Sequence, residues 1–382
     1  MFDKIMASIF TFLSIGFVTV ILVFGFAIVG EIYYIALIVA SAIILFLLIV
    51  LKINGFFKTK KRKIVFASIS IVVITISAIS PIKQAYINSI PTVGAEVPIY
   101  QYEPFSEDNK VVTLDDEATL KLTDDLPRID GATALYPLYS AIVEATYPKR
   151  EYNPYDSEVM VNTTPDAYTN LIKGKVDMIF VAGPSESQQN WAKKKGTELK
   201  LTPIGKEAFV FFVNQKNSID GLTLEQIKKI YSGEVKNWQE VGGDNDSIRA
   251  FQRPEDSGSQ TALQKLMGDT PIMEAPTENI ASGMGGIIHE VSQYRNFKNA
   301  IGYTFRYYST EMVQNDQIKL LEIDGVKPTK ETIRDGSYPI SSEFYIVTAG
   351  TTNPNVDKLI DWVLSPQGQQ LVEKVGYVPI VE

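Results

Sequence analysis

RPEDSGSQTAL, Arg253 to Leu263, gathers one arginine, two acids, two serines and a glycine into seven residues, then runs on as a helical pattern to Gly268. Ser257 with Gln260 three positions later fits a capping box, so the stretch reads as the start of a helix. Capping alone leaves Gly258 unexplained, because glycine inside a helix costs about 1 kcal/mol against alanine. A glycine at that place lets a ligand approach the backbone. Amides at a helix start point outward, and the helix dipole favours negative charge there. Ser257 and Ser259 add hydroxyl donors, Arg253 adds a two-pronged guanidinium, and Glu255 is placed to orient that arginine rather than to touch a ligand. Three readings compete: a capped surface helix, a cradle for a small anion, and a nucleophilic serine. The third lacks support, since SGS is not the G-x-S-x-G elbow. The chain's single histidine, His289, lies in GGIIHEVSQY, where it reads as a surface or boundary residue of a helix.

Three further stretches have the same character. GATALYP (131–137) leads into a helix pattern with Pro137 in its early turns, and Thr133 with the amides of Ala134 and Leu135 could face a ligand. VNTTPDAY (161–168) offers Thr163 and Thr164 at another helix start. ASGMGGIIHEV (281–291) sets three glycines before a helix, which close packing explains as well as a ligand does. No G-x-x-x-x-G-K-[ST], H-E-x-x-H or calcium-loop pattern occurs, so no cofactor or metal is expected.

The amino-terminal part is of a different kind. Ile5 to Val29, Ile32 to Leu51 and Ile64 to Ser80 are apolar runs without an internal charge. The first two have the ~20 residues that span hydrocarbon, and the third is at the short end of that range. KINGFFKTKKRK (52–63) carries six Lys or Arg and no acid, which makes it a cytoplasmic loop. The amino terminus is then inside as well, and everything after Ser80 is outside. Residues 1–83 hold eight basic and two acidic residues; taking these from the totals of 36 and 44 leaves 28 basic and 42 acidic, a net charge of −14. A domain so acidic is not built to bind nucleic acid, and an anion must be held locally against the overall field. With no cysteine, disulfides, thiolate metal sites and a lipid-modified cysteine are all excluded.

Residues 84–126, with prolines at 91, 98 and 104, read as a stalk with one early strand, KVVTL (110–114). From Pro127 on, strand-like runs (VDMIFVAG, FVFFVN, AIGYTF, FYIVTAG) alternate with capped helices, the pattern of a mostly parallel α/β sheet. Thr164-Pro165 opens one helix and Gly174 follows it. Thr223 with Gln226 forms a capping box closed by Gly233, and Ser365-Pro366 opens a last helix closed by Gly376. Some 255 residues of this pattern suit two lobes.

Roughly Pro127 to Glu382 resembles the periplasmic-type phosphate-binding proteins of ABC importers. GATALYP looks like that family's first anion loop, and RPEDSGSQTAL looks like its Arg-x-(Asp/Glu)-x-Ser-Gly-(Thr/Ser) loop. AIGY and LIDWVLSPQGQQLVEKVGYVPI (359–380) are also family-like. The resemblance implies a two-lobed, hinged fold closing on an oxyanion, with lobe 1 at about 127–205 and 345–382 and lobe 2 at about 206–344. By position it implies a ligand set of Thr133, Ala134 and Leu135, then Thr163 or Thr164, then Arg253, Ser257, Gly258 and Ser259, with Glu255 beside the arginine. One position departs. The family's aspartate that accepts the proton of hydrogen phosphate aligns with Ala182, where Ser185 or Ser187 could supply an acceptor instead. The expected protein is a multi-pass, membrane-anchored extracytoplasmic binding protein for phosphate or a related oxyanion, with ABC permease subunits as partners and no enzymatic role. A surface sensor is the alternative.

Overall fold

The computed structural model describes residues 2–90, 92–93, 99–274, 294–295, 297–312 and 317–380, in two compact units divided after Pro91. His289 and the glycine-rich stretch 281–291 lie outside the described residues. The first unit is three helices, α1 (Phe2–Ile28), α2 (Ile35–Ile53, entered through a 3₁₀ turn at Ile32–Tyr34) and α3 (Lys60–Ser89). Each is long and apolar enough to cross a membrane, with mean hydropathies of 2.5, 3.1 and 2.2 over their best windows. At ~1.5 Å per residue the 27 residues of α1 reach about 40 Å, beyond the ~30 Å of hydrocarbon. Gly30 and Gly55, at φ 82° and 73°, turn the chain between helices in a conformation that glycine adopts without strain. Thr59 caps α3 by accepting from the Arg62 amide. The third helix outruns its apolar stretch at both ends, taking in the basic Lys60–Lys63 and continuing past Pro81.

The second unit opens with β1 (Thr92–Val93), followed by β2 (Ile129–Gly131), α4 (Tyr136–Thr146), α5 (Thr164–Ile172), β3 (Met178–Ala182) and α6 (Glu186–Lys194). Next come β4 (Lys200–Asn214), β5 (Gly221–Leu222), α7 (Leu224–Ser232), β6 (Arg249–Ala250) and α8 (Gly258–Met267). The chain continues through β7 (Tyr294–Arg295), β8 (Ala300–Phe305), β9 (Ile318–Leu320), β10 (Glu322–Ile323) and α9 (Lys330–Arg334). It ends in β11 (Ser341–Thr348), α10 (Asn355–Leu364) and α11 (Pro366–Val375). The main sheet runs β2-β3-β11-β4-β8-β6, with β9 also on β4. Only β2–β3 and β6–β8 are parallel in it, so the mostly parallel expectation is corrected to a mixed sheet. Runs such as Met178–Val181 of β3 and Ala208–Val213 of β4 are buried and apolar whatever the direction of their neighbours, which hides strand direction from sequence.

The strand β4 joins two cores. Its first half pairs with β11 from Lys200 to Ala208, and its second half pairs with β8 from Phe209 to Val213. One core, around Ile129, Tyr139, Phe180, Phe344, Trp362 and Tyr377, includes Ile204 of β4. The other, around Phe211, Tyr231, Trp238, Tyr303 and Tyr338, includes Ala208 to Phe211 and Val213. The expected stalk needs correction as well. Residues 99–126 form no strand at 110–114 and pack on the first core, with Tyr102, Ala118 and Leu122 buried in it. The Leu122 amide donates to Thr146 O at 2.8 Å, Glu144 accepts from the Phe105 amide at 2.7 Å, and Asn355 Nδ2 donates to Asp124 O at 3.0 Å. The compact body therefore begins well before Pro127. Its early apolar anchors are irregularly spaced, so neither strand nor helix periodicity betrays them.

Candidate functional site

Two loops frame the site from the first core. Asp130, wholly buried, accepts from the Gly131 amide at 2.8 Å, Asn162 Nδ2 at 3.0 Å and Asn170 Nδ2 at 2.8 Å. Burial raises its pKa, and these three donors act against that rise. The carboxylate thereby locks the first loop to the segment before α5. Gly131 is required here, because a Cβ would meet Phe180 O and Tyr139 Cε1 at 2.7 Å. Thr133 to Leu135 then form a 3₁₀ turn leading into α4. The Leu135 amide donates to Ala132 O at 2.8 Å, so it is occupied inside the turn and not free for a ligand as expected. The Thr133 hydroxyl leans on Asn162 O at 3.4 Å, and Ala134 O accepts from the Tyr377 hydroxyl.

At α5 the cap is Thr163, one residue earlier than the sequence suggests. Its hydroxyl accepts from the Asp166 amide at 3.3 Å and donates to Asp166 Oδ2 at 2.6 Å. Thr164 is different. No hydrogen bond among the described residues engages its hydroxyl, which lies 3.2 Å from where a Cβ on Gly258 would stand.

The loop before α8 comes from the second core. Ser257 is its N-cap, accepting from the Gln260 amide at 3.2 Å. The reciprocal half of the capping box does not form. Instead Gln260 Oε1 accepts from the Arg253 amide at 3.0 Å and from the Tyr303 hydroxyl, which itself accepts from the Arg253 amide at 2.9 Å. This network ties the loop to β8 through the tyrosine of AIGY. Arg253 is half-buried, and its Nε is enclosed with no hydrogen-bond partner among the described residues. Burial lowers its pKa from the usual value, although a guanidinium stays charged. Glu255 does not orient it: the carboxylate accepts from Gln264 Nε2 at 2.6 Å, in the second turn of α8.

The loops of the two cores touch here. A Cβ on Gly258 would lie 3.2 Å from Thr164 Oγ1 and 3.4 Å from Ala182 Cβ, and one on Gly183 would lie 2.9 Å from Lys265 Nζ. Thr164, Ala182 and Gly258 are thus brought together, with Arg253 five residues before Gly258 in the same loop, while Thr163 and Leu135 are occupied structurally. Sequence reasoning missed Asp130, Gln260 and Tyr303, which hold the loops in place. It also missed Asp256, which accepts from Ser185 and Ser187. A side-chain partner that far away in sequence leaves no local pattern.

Comparison with known proteins gives consistent matches. A family model described as a PBP superfamily domain matches residues 118–367. The chain is 26% identical over 256 residues to the phosphate-binding protein PstS of Bacillus subtilis (strain 168), covering 66% of this chain and 80% of that protein. It is 25% identical over 261 residues to the phosphate-binding protein PstS of Borreliella burgdorferi, covering 66% and 89%. A substrate-binding protein from Clostridium perfringens, solved with bound phosphate, aligns with a TM-score of 0.50 at 24% identity, covering 68% of this chain and 99% of that one. That last likeness speaks to the fold.

Proposed function

The chain belongs to the PBP superfamily, and on that premise we propose that its second unit captures phosphate or a related small oxyanion outside the cell for an ABC importer. The observation that carries this reading is the enclosed Arg253 Nε, a cationic donor without a partner among the described residues, in the loop that leads into a helix start whose glycine abuts a Thr164 hydroxyl that no described residue bonds. A buried donor left unpaired costs about 1–3 kcal/mol, and an anion received there would remove that cost. We assign the ligand set as Arg253, the hydroxyls of Ser257 and Ser259 with the backbone at Gly258, the turn at Thr133 and Ala134, and Thr164; the Ser257 amide itself already donates to Pro254 O at 3.3 Å. Relatives named as phosphate-binding proteins support the choice of anion. The process is binding, with Ser257 Oγ engaged as a helix cap that accepts from the Gln260 amide. The three apolar helices support a membrane anchor for the binding unit, and the basic loop at 52–63 supports an outer position for that unit.

Titration calorimetry on the full chain in detergent, with phosphate, arsenate, sulfate and small carboxylates, tests the reading. Binding of phosphate that disappears in Arg253→Ala is the expected result; no heat with any oxyanion would sink it. Phosphate uptake in cells lacking the protein separates an importer component from a sensor, since a sensor leaves uptake intact.

A further inference from the structure

Between the arginine and the glycine of the cradle, Asp256 holds a left-handed backbone conformation, φ 64°. Aspartate tolerates this conformation because its short side chain can bond to its own backbone. Here it reaches elsewhere. Its Oδ1 accepts from Ser185 Oγ at 2.6 Å and Ser187 Oγ at 2.7 Å, and its carbonyl oxygen accepts from Gln188 Nε2 at 3.3 Å. All three donors belong to the cap and first turn of α6, which follows β3 on the side of the first core. Asp256 belongs to the loop that feeds α8, whose Leu263 and Met267 lie in the second core. The receiving end is rigid, because Ser185 and Gln188 form a complete capping box. The carboxylate also stands where the dipole of α6 favours negative charge. Ser257 and Gly258 follow directly in the chain, and Gly258 is the residue that meets Thr164 and Ala182. Clasp and cradle therefore share one stretch of backbone, and drawing α6 away from α8 opens both.

We propose that Asp256 is the closing clasp of the cleft, a positioning residue that touches no anion and sets how slowly one leaves. The identity of that anion rests on the reading above. Bonds made only when the two sides meet deepen the closed state relative to the open one, and so shift the population toward it. Their loss speeds dissociation and leaves encounter with the open cleft unchanged.

The test uses the full chain in detergent with inorganic phosphate. Asp256→Gly, which accepts φ 64° without strain, is expected to raise the dissociation rate and Kd together by about tenfold or more, at constant association rate. Asp256→Asn, which keeps an acceptor oxygen without the charge, should fall in between. Adding Ser187→Ala to Asp256→Gly should change nothing further; a second, additive loss would overturn the clasp. Closure is read separately and without ligand. The cysteine-free chain allows spin labels at exposed Asn190 and Asp269. Their separation should lengthen in Asp256→Gly, and an unchanged distribution overturns the clasp whatever phosphate does. If the parent chain binds no oxyanion yet its label distance still depends on Asp256, the functional reading falls and the clasp stands.

Discussion

A single missing side chain at position 258 defines how closely the two sides of the cleft approach. Gly258 has no positive φ to justify it, and as the first helical residue of α8 it forgoes the helix propensity of alanine. Its reason is the distance across the cleft. A methyl group there would sit 3.2 Å from Thr164 Oγ1 and 3.4 Å from Ala182 Cβ, tight enough to force the sides apart by a few tenths of an ångström. Gly258→Ala should therefore weaken oxyanion binding by about tenfold, the scale of ~1.4 kcal/mol, while thermal stability stays level or rises slightly. Calorimetry and a melting curve on the same sample check this. A fall in stability with unchanged affinity would assign the glycine to packing of α8 alone. Arg253 and Ala182 complete the picture at this scale. In the proposed reading the arginine supplies the charge, and Ala182 is the side chain that stands opposite Gly258.

Among the elements, the corner between α10 and α11 shows how tightly local signals can bind a fold. Ser365 ends one helix and caps the next, and its hydroxyl donates to Trp362 O at 2.6 Å. Gly368 then lies directly on the last carbonyls of α10, where a Cβ would collide with the oxygens of Trp362 and Val363. Backbone cannot yield as a flexible side chain can. Gly368→Ala should cost about 1–3 kcal/mol, seen as a lowered melting temperature of the full chain, with phosphate affinity unchanged at temperatures where it stays folded. Such corners were legible in the sequence: Ser-Pro starts, capping boxes and glycine stops appear where Ser365, Thr223 and Gly233 stand. The strands FVFFVN, AIGYTF and FYIVTAG were legible for the same reason, as short β-branched and aromatic runs between turns. Strand direction and the wrapping of residues 99–126 were not, since both depend on partners far along the chain. At the site, the helix start and Arg253 carried their own local chemistry, whereas Gln260, Tyr303 and Asp130 act only through tertiary contacts.

For the molecule as a whole, the element that connects the two cores is β4, and its crossing point contains a buried glutamate–arginine pair. Glu207 stands where β4 leaves β11 for β8, with Arg306 just past the end of β8. Both are buried, and Arg306 Nε lies 3.7 Å from Glu207 Oε1, too far for a hydrogen bond. The arginine is anchored instead by a bond from Nη2 to Gly376 O at 2.8 Å. Burial pushes the Glu207 carboxyl up to about 7, against the opposing pull of Arg306 and of the Ala208 and Tyr307 amides. The unfolded chain would titrate this group near 4.5. Between those two values the folded protein holds a proton that the unfolded chain has released, so rising pH favours unfolding across that window. The contribution of Glu207 is thus fully present below pH 4.5 and is lost as pH rises through about 7. Because β4 continues into both cores, charging this carboxyl loosens the connection between them, not one side alone. Between pH 5 and pH 8 the melting temperature of the full chain should therefore fall more steeply than that of Glu207→Gln, whose amide cannot titrate. The difference between the two slopes should correspond to a few kcal/mol at most, since a tenfold change in proton affinity is worth about 1.4 kcal/mol. Parallel slopes would mean that Arg306 keeps Glu207 ionised throughout, and that the crossing is held by a permanent charge pair.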